Sequence, residues 1–359
     1  MSSLPESANV ATARPVVATP SDVEPAPLAA VAPAPQPVVV ITGASSGIGH
    51  ATALAFARQG ATVVLAGRNA DTLAAVAQAC RHEGGAAVGV PTDVTDAEAV
   101  RALADAALAR FGRIDVWVNG VGVGAVGRFE DTPAAAHRRV VEANLIGHIN
   151  GAHAALPLFR RQGHGTLINM ISVGGWVPAP YAAAYTASKF GLRGLSESLR
   201  AEVADLLDVH VCDVVPTFAD TPGLSHAANY TGRAIEPSLP MLDPRRVAAA
   251  VVAAANRPRS VTFLGAGALS GRVAHAVAPN TLARFLRWVA DGALRRARPA
   301  AATDGNLYAP SRNTAIDGGA NARAGSVAAS AAALAAVGVA GGWWLAQRGR
   351  RRRRGPDGA

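Results

Sequence analysis

The chain has almost no lysine. Of its 34 basic residues, all but Lys189 are arginine. Arginine serves wherever a plain positive charge is enough, so a surviving lysine marks a place where a planar guanidinium does not fit, with chance survival as the alternative. Cysteine is nearly as scarce. Cys80 and Cys212 cannot build a disulfide scaffold or, by themselves, a structural zinc site, and they fit a reducing compartment as small packing residues. Only 16% of the residues are charged and 50% are hydrophobic, which excludes a wholly disordered chain. Glycine numbers 37 but keeps no triplet period, so a collagen-like fibre is excluded.

A formal net charge of +9 invites a nucleic-acid reading, yet Arg348 and Arg350 to Arg354 crowd the last residues. A local basic tail signals membrane surface or topology before it signals a nucleic-acid face. No nucleic-acid partner is expected. No metal site is expected either: His137, His148, His153 and His164 are dispersed, without carboxylates at ligand spacing.

Residues 1–36 are rich in Pro and Ala and read as a disordered leader. They lack a basic start followed by an apolar run, so secretion is not expected. From Val38 the pattern changes. Apolar runs at 38–41, 62–65, 86–90, 114–118, 166–171, 209–215 and 260–264 alternate with helical stretches at 46–59, 69–83, 96–111, 133–161, 183–206 and 244–256. Strands apolar on both faces, separated by helices, predict an α/β domain over 37–265 with a parallel sheet covered on both sides. Beyond it, residues 266–301 form a C-terminal helical extension. Within it, 279–296 is amphipathic, with Leu282, Phe285, Leu286 and Val289 on one face. Residues 302–323 are polar and read as a linker.

Residues 324–346 carry no charge and as a helix would reach about 34 Å, enough for a bilayer core. Trp343, Trp344 and the Arg-rich tail 347–359 flank one end. Ala, Gly and Ser drive insertion weakly, so the alternatives to a transmembrane helix are a surface-lying helix and a flexible tail. The arginines favour a cytoplasmic C-terminus, whereas a leader without a secretory signal requires a cytoplasmic globular domain. A membrane-associated protein with its globular domain in the cytoplasm satisfies the second requirement.

The first strand runs into Thr42-Gly43-Ala44-Ser45-Ser46-Gly47-Ile48-Gly49 at the head of a helix. Glycines there let the backbone turn sharply and approach a pyrophosphate, and the helix N-terminus points amides at it. An ordinary Gly-rich turn is the alternative. The second strand ends Leu65-Ala66-Gly67-Arg68. Where an acid would hold ribose hydroxyls, Gly67 and Arg68 stand instead, and a guanidinium suits a 2′-phosphate. That favours NADP(H) over NAD(H), unless Arg68 is simply a surface residue.

Tyr185 and Lys189 lie four residues apart on a helix, hence on one face. A neighbouring cation stabilises a phenolate and brings an otherwise inert phenol toward the working range. Ser172, upstream at the end of a strand, offers a hydroxyl to polarise a substrate carbonyl. A lone Tyr-x-x-x-Lys is usually a solvated helix face, but here it follows a phosphate loop, with Asn144 and Ser172 in order before it.

The T-G-x-x-x-G-x-G turn and the ordered Asn144, Ser172, Tyr185 and Lys189 resemble the short-chain dehydrogenase/reductase family over about 38–265, nearly two thirds of the chain. The resemblance implies a Rossmann-type doubly wound sheet of seven parallel strands, in the order 3-2-1-4-5-6-7. It implies hydride transfer between nicotinamide and a carbonyl or alcohol carbon, with Tyr185 as proton donor in reduction. Asn144 would hold a water that feeds protons past Lys189. Asp93 and Val94 match the adenine-contacting pair, and Asn119 opens a stretch in which two family residues are replaced. Pro216 and Thr221 fit the nicotinamide-side loop, where Thr217 stands for the usual Gly. Homo-oligomers are common in the family. His226, Tyr230 and Met241 fall where its substrate lid lies; they line a pocket or belong to an ordinary loop. A membrane setting, an apolar lid and the 279–296 helix point to a lipophilic substrate. The alternative function is a non-catalytic NADP-binding redox sensor or membrane scaffold.

Overall fold

The computed structural model describes residues 36–235, 241–265 and 267–319. The leader up to residue 35, the candidate transmembrane stretch 324–346 and the tail 347–359 lie outside the described residues. Among the described residues no helix is long and apolar enough to cross a membrane.

The strands are β1 (Val38–Thr42), β2 (Thr62–Gly67), β3 (Ala86–Pro91), β4 (Val116–Asn119), β5 (Ala125–Val126), β6 (Gly165–Met170), β7 (Val209–Pro216), β8 (Ala228–Asn229) and β9 (Val261–Leu264). Seven of them form one parallel sheet in the order β3-β2-β1-β4-β6-β7-β9, and β5 pairs with β8 in a small second sheet. Register is set through β1, where Ile41 faces Leu65 of β2 and Val118 of β4. Successive side chains alternate faces. Val39, Ile41, Val63 and Leu65 go to one core with Phe56, Leu73, Val247 and Val251. Val38, Val40 and Val64 go to the other with Val100, Leu103, Leu158 and Phe159. Each large side chain so buried contributes about 1.5–3 kcal/mol, which is why a chain without polar alternation settles in the middle of a sheet.

Helices α1 (Gly47–Ala57), α2 (Ala70–His82) and α3 (Ala97–Phe111) follow the first three strands. Their ends are written locally. Asn69 accepts from the Thr72 amide at 3.1 Å to start α2, and Asp96 accepts from Glu98 and Ala99 to start α3. Gly112 then ends α3 in a left-handed turn, φ 75°.

The single helix predicted over 133–161 is interrupted. A π turn over Glu142–Ile146 separates α4 (Ala134–Val141) from α5 (Gly147–Gln162). Such bulges insert an extra residue to re-aim a side chain, and this one carries Asn144. The chain continues through α6 (Ala183–Glu202), α7 (Pro222–Ser225), α8 (Pro244–Asn256), α9 (Ala268–Val277) and α10 (Pro279–Arg296). The amphipathic helix predicted at 279–296 is α10.

The stretch read as a linker does not run free where it is described. Leu307 is 1% exposed, and residues 303–318 are tied to the domain by hydrogen bonds at both ends. Apolar burial of one leucine and backbone pairing, neither visible as a periodic pattern, hold it there.

Candidate active site

In an open parallel sheet, ligands bind beyond the carboxyl ends of the strands where the order reverses. Here that point lies between β1 and β4. The C-terminal ends of β1, β4, β6 and β7 deliver Thr42, Asn119, Ser172 and Pro216 to this side.

The turn after β1 is as tight as its glycines allow. Gly43 has φ 71°, and a Cβ there would stand 3.0 Å from the Gly120 backbone. A Cβ on Gly49 would sit 2.1 Å from the Gly43 carbonyl oxygen, so α1 packs against the turn only without one. Thr42 accepts from the Gly120 amide at 3.1 Å and donates to Val118, which joins the ends of β1 and β4. Ser46 opens α1 without spending its side chain on a cap, Ser45 lies beside Gly67, and Ile48 packs on the core. A Cβ on Gly47 would meet Thr221 at 3.2 Å, so the loop after β7 closes onto the glycine turn. A helix N-terminus, an uncommitted hydroxyl and backbone with no room for side chains fit a phosphate-bearing ligand.

Arg68 and Asp93 end the neighbouring strands. Burial works against the Asp93 carboxylate, but the Thr95 amide and hydroxyl and the Arg139 guanidinium, which donates at 2.8 Å, together hold its pKa below the usual value. Val94 is buried beside Gly147, where a Cβ would meet it at 2.5 Å. Asn119 is committed internally: it accepts from the Trp117 indole at 2.9 Å and donates to the His148 carbonyl and Asn169. Arg68 donates to the carbonyls of Asn306, Leu307 and Tyr308, at 2.6, 3.1 and 3.3 Å.

The catalytic candidates converge. Ser172 accepts from the Gly174 amide at 3.1 Å, and the Tyr185 ring lies beside it, both within reach of a Cβ on Gly174. Lys189, 2% exposed, donates to the Met170 carbonyl at 2.9 Å, its Nζ 5.8 Å from the Tyr185 ring centroid. Asn144, wholly buried, brackets Val123: it accepts from the amide at 2.8 Å and donates to the carbonyl at 2.9 Å. It also donates to Ser188, whose hydroxyl donates to the Tyr185 carbonyl. The π turn thus ties the Asn144 amide to the helix bearing Tyr185 and Lys189.

Spacing alone predicts a phenol made more acidic by Lys189. Burial dominates both groups instead. It raises Tyr185 above its ordinary value, against the pull of the Ser172 hydrogen bond, and brings Lys189 down to about 7. The other tyrosine nearby, Tyr181, donates to Asp291 of α10 and so turns away from this group. Of the lid candidates, Tyr230 donates to Asp304 at 2.6 Å, the His226 carbonyl accepts from the Asn306 amide, and Met241 is half-buried beside residues 236–240, which are outside the described set.

Three contributors escape sequence reasoning. Arg139 bridges Asp93, Thr95 and the Leu307 carbonyl from a helix with no motif. His148 is 1% exposed, and its pKa falls well below the ordinary value through burial and then the Lys189 charge. Residues 306–308 are separated from Arg68 by most of the chain. No spacing signal links any of these to the motifs. Among the described residues, no group of three or more His, Cys, Asp or Glu could hold a metal ion.

The family model for short chain dehydrogenases matches residues 37–229. An uncharacterized oxidoreductase of Bacillus subtilis, YxnA, is 34% identical over 252 residues, covering 69% of this chain and 71% of that one. The probable oxidoreductase EphD of Mycobacterium tuberculosis is 40% identical over 185 residues, which span 51% of this chain and only 31% of EphD. Among solved structures, an alcohol dehydrogenase of Thermococcus sibiricus complexed with 5-hydroxy-NADP superposes with a TM-score of 0.56 at 29% identity, over 64% of this chain and 96% of that one. A short chain dehydrogenase/reductase of Burkholderia phymatum in complex with NAD gives 0.59 at 25% identity, over 75% and 98%. With its parallel sheet in the expected order and the family match across more than half its length, the chain belongs to the short-chain dehydrogenase/reductase family and is an NAD(P)-dependent oxidoreductase.

Proposed function

We propose that the chain uses NADP(H) to interconvert a lipophilic carbonyl compound and its alcohol, with Tyr185 as the acid-base residue. The observation that carries this reading is the convergence of the Tyr185 phenol on Ser172, beside the buried ammonium of Lys189. The nicotinamide, when bound, supplies or takes up the hydride. The glycine turn with Ser45, Ser46 and Ile48 would hold the phosphates, Asp93 and Val94 the adenine side, and Thr221 the nicotinamide side. Arg68 favours the 2′-phosphate form because a guanidinium gives a phosphate both charge and directed hydrogen bonds.

Tyr185 gives its proton to the carbonyl oxygen in reduction and takes it back in oxidation. A phenol raised by burial stays protonated at neutral pH and so is charged as an acid. Ser172 donates to the same substrate oxygen and, in its absence, to the phenol. Lys189 holds the ribose and favours the phenolate after proton transfer. Asn144 positions α6 from the π turn. The side chains packed around the Tyr185 ring are apolar: Ala125, Ala136, Val140, Ala184, Ala228 and Leu307, with Val123 and Tyr230 at their edge. Apolar surroundings at the acid-base residue support a lipophilic substrate.

Purified protein, NADPH and a panel of ketones, followed at the nicotinamide absorbance band in detergent, test the reading. Turnover that favours long-chain or polycyclic ketones over short polar ones is expected. Tight NADPH binding without turnover of any ketone would instead support the binding-protein alternative. Membrane attachment through 324–346, with the enzyme domain on the cytoplasmic side, rests on sequence. Flotation with anionic vesicles that is lost on truncation after residue 323 checks it.

A further inference from the structure

Residues 303–318 form a strap across the cleft assigned above to the dinucleotide. The strap starts as an antiparallel bridge to β8, with the Asn229 and Thr303 backbones exchanging hydrogen bonds at 2.8 and 2.9 Å. Asp304 accepts from Tyr230, and Leu307 drops into the apolar cluster that includes Ala125, Val140, Ala184 and the Tyr185 ring. At this point the strap turns its carbonyls outward. Those of Asn306, Leu307 and Tyr308 take N–H groups from both terminal nitrogens of Arg68, and Leu307 takes another from Arg139. Farther on, the Ala315 carbonyl accepts from the Gly47 amide at 2.9 Å, at the N-terminus of α1. The far end is fixed by Asp317, which receives two hydrogen bonds from Arg245 at 2.7 and 2.8 Å, and by the Gly318 amide donating to Asp220.

The strap is not placed against neutral surface. It sits on a guanidinium and a helix N-terminal amide, the donors that a phosphorylated ligand needs. Backbone carbonyls satisfy these hydrogen bonds but bring no charge. A phosphate brings both, so it is the stronger partner for the same N–H groups, and the two cannot hold them at once.

We propose that residues 303–318 are a built-in competitor for the dinucleotide: the strap must lift from Arg68 and Gly47 before NADP(H) binds, so the free chain is self-blocked. This rests on the reading of Arg68 and the glycine turn as the cofactor site. A lid that closes over bound cofactor is the opposite device. Release of a competitor tightens binding, whereas release of a lid weakens it.

One strap glycine and one exposed ion pair allow the test without touching a residue assigned to the cofactor. Gly305 has φ 54°, and a Cβ there would stand 2.2 Å from the His226 carbonyl oxygen. Gly305→Val dislodges one end, and Asp317→Ala cuts the exposed pair with Arg245 at the other. NADPH binding is measured by titration on the full chain, with thermal unfolding as the check on folding. Hydrogen exchange of 303–318 in the wild-type chain, with and without NADPH, gives a readout that needs no variant. If the strap is closed in about 90% of molecules, its release tightens NADPH binding about tenfold. NADPH would also raise exchange across 303–318. Unchanged or weaker NADPH binding by folded variants, or increased protection of 303–318 with NADPH, overturns the strap while leaving the cofactor site standing. Failure of every form, wild type included, to bind NADPH overturns the cofactor reading and the strap with it.

Discussion

The Ser172 hydroxyl and the Tyr185 ring meet at Gly174, whose amide donates to Ser172. That arrangement fixes where a substrate oxygen would sit, because it must accept from both hydroxyls. Removing the phenolic hydroxyl removes the proton donor and leaves the phosphate turn intact. Tyr185→Phe is therefore expected to lower kcat by at least about 100-fold, the usual scale of general acid-base catalysis. NADPH affinity should stay within about twofold of wild type, since uniform binding is untouched. Steady-state kinetics and NADPH titration on the same preparation check both numbers.

Arg68 places its guanidinium where Gly67 leaves no carboxylate, at the end of β2. A hydrogen bond to a charged group contributes about 1.5–3 kcal/mol, which corresponds to roughly 10- to 100-fold in preference. Arg68→Asp replaces attraction to a 2′-phosphate with repulsion. The ratio of kcat/KM for NADPH over NADH should fall by at least that factor. An unchanged ratio would show that Arg68 reads no phosphate.

What the sequence made legible was local. The Asp96 cap and the left-handed Gly112 bracket α3, so its bounds follow from chemistry within a few residues. Val38 to Ile41 are apolar on both faces, as an inner strand requires. Tyr185 and Lys189 share a helix face by spacing alone. The π turn was not legible, because it arises from Asn144 reaching the Val123 backbone across the fold. The strap was not legible for the same reason: residues 302–319 are polar and aperiodic, and the cluster that buries Leu307 is assembled from residues far away in the chain. The direction of the Tyr185 shift also depended on burial that spacing does not encode.

Asn144 spends its whole amide on Val123 and Ser188 inside the fold. Asn144→Ala leaves the Val123 amide and carbonyl without those partners, which costs about 1–3 kcal/mol for a buried group. Urea unfolding should show that loss in midpoint with little change in slope. Turnover should fall as well, because the amide links the π turn to α6.

Lys189 carries an opposite cost. Its ammonium is buried and its pKa sits at about 7, against 10.5 when exposed. Between those two values the unfolded chain binds the proton and the folded chain does not, so stability contributed by this site rises with pH through the window. Below about 7 both states are protonated and the full burial penalty remains. Lys189→Met removes the titrating group while keeping a flexible apolar stem that fills similar space. The variant should unfold at a higher temperature than wild type near pH 6.5, with the gap closing as pH rises toward 9.5, while its turnover is largely lost. Thermal unfolding across that range measures it. A gap that stays constant or widens with pH would mean that Lys189 keeps its charge in the folded chain, and that burial does not set its titration.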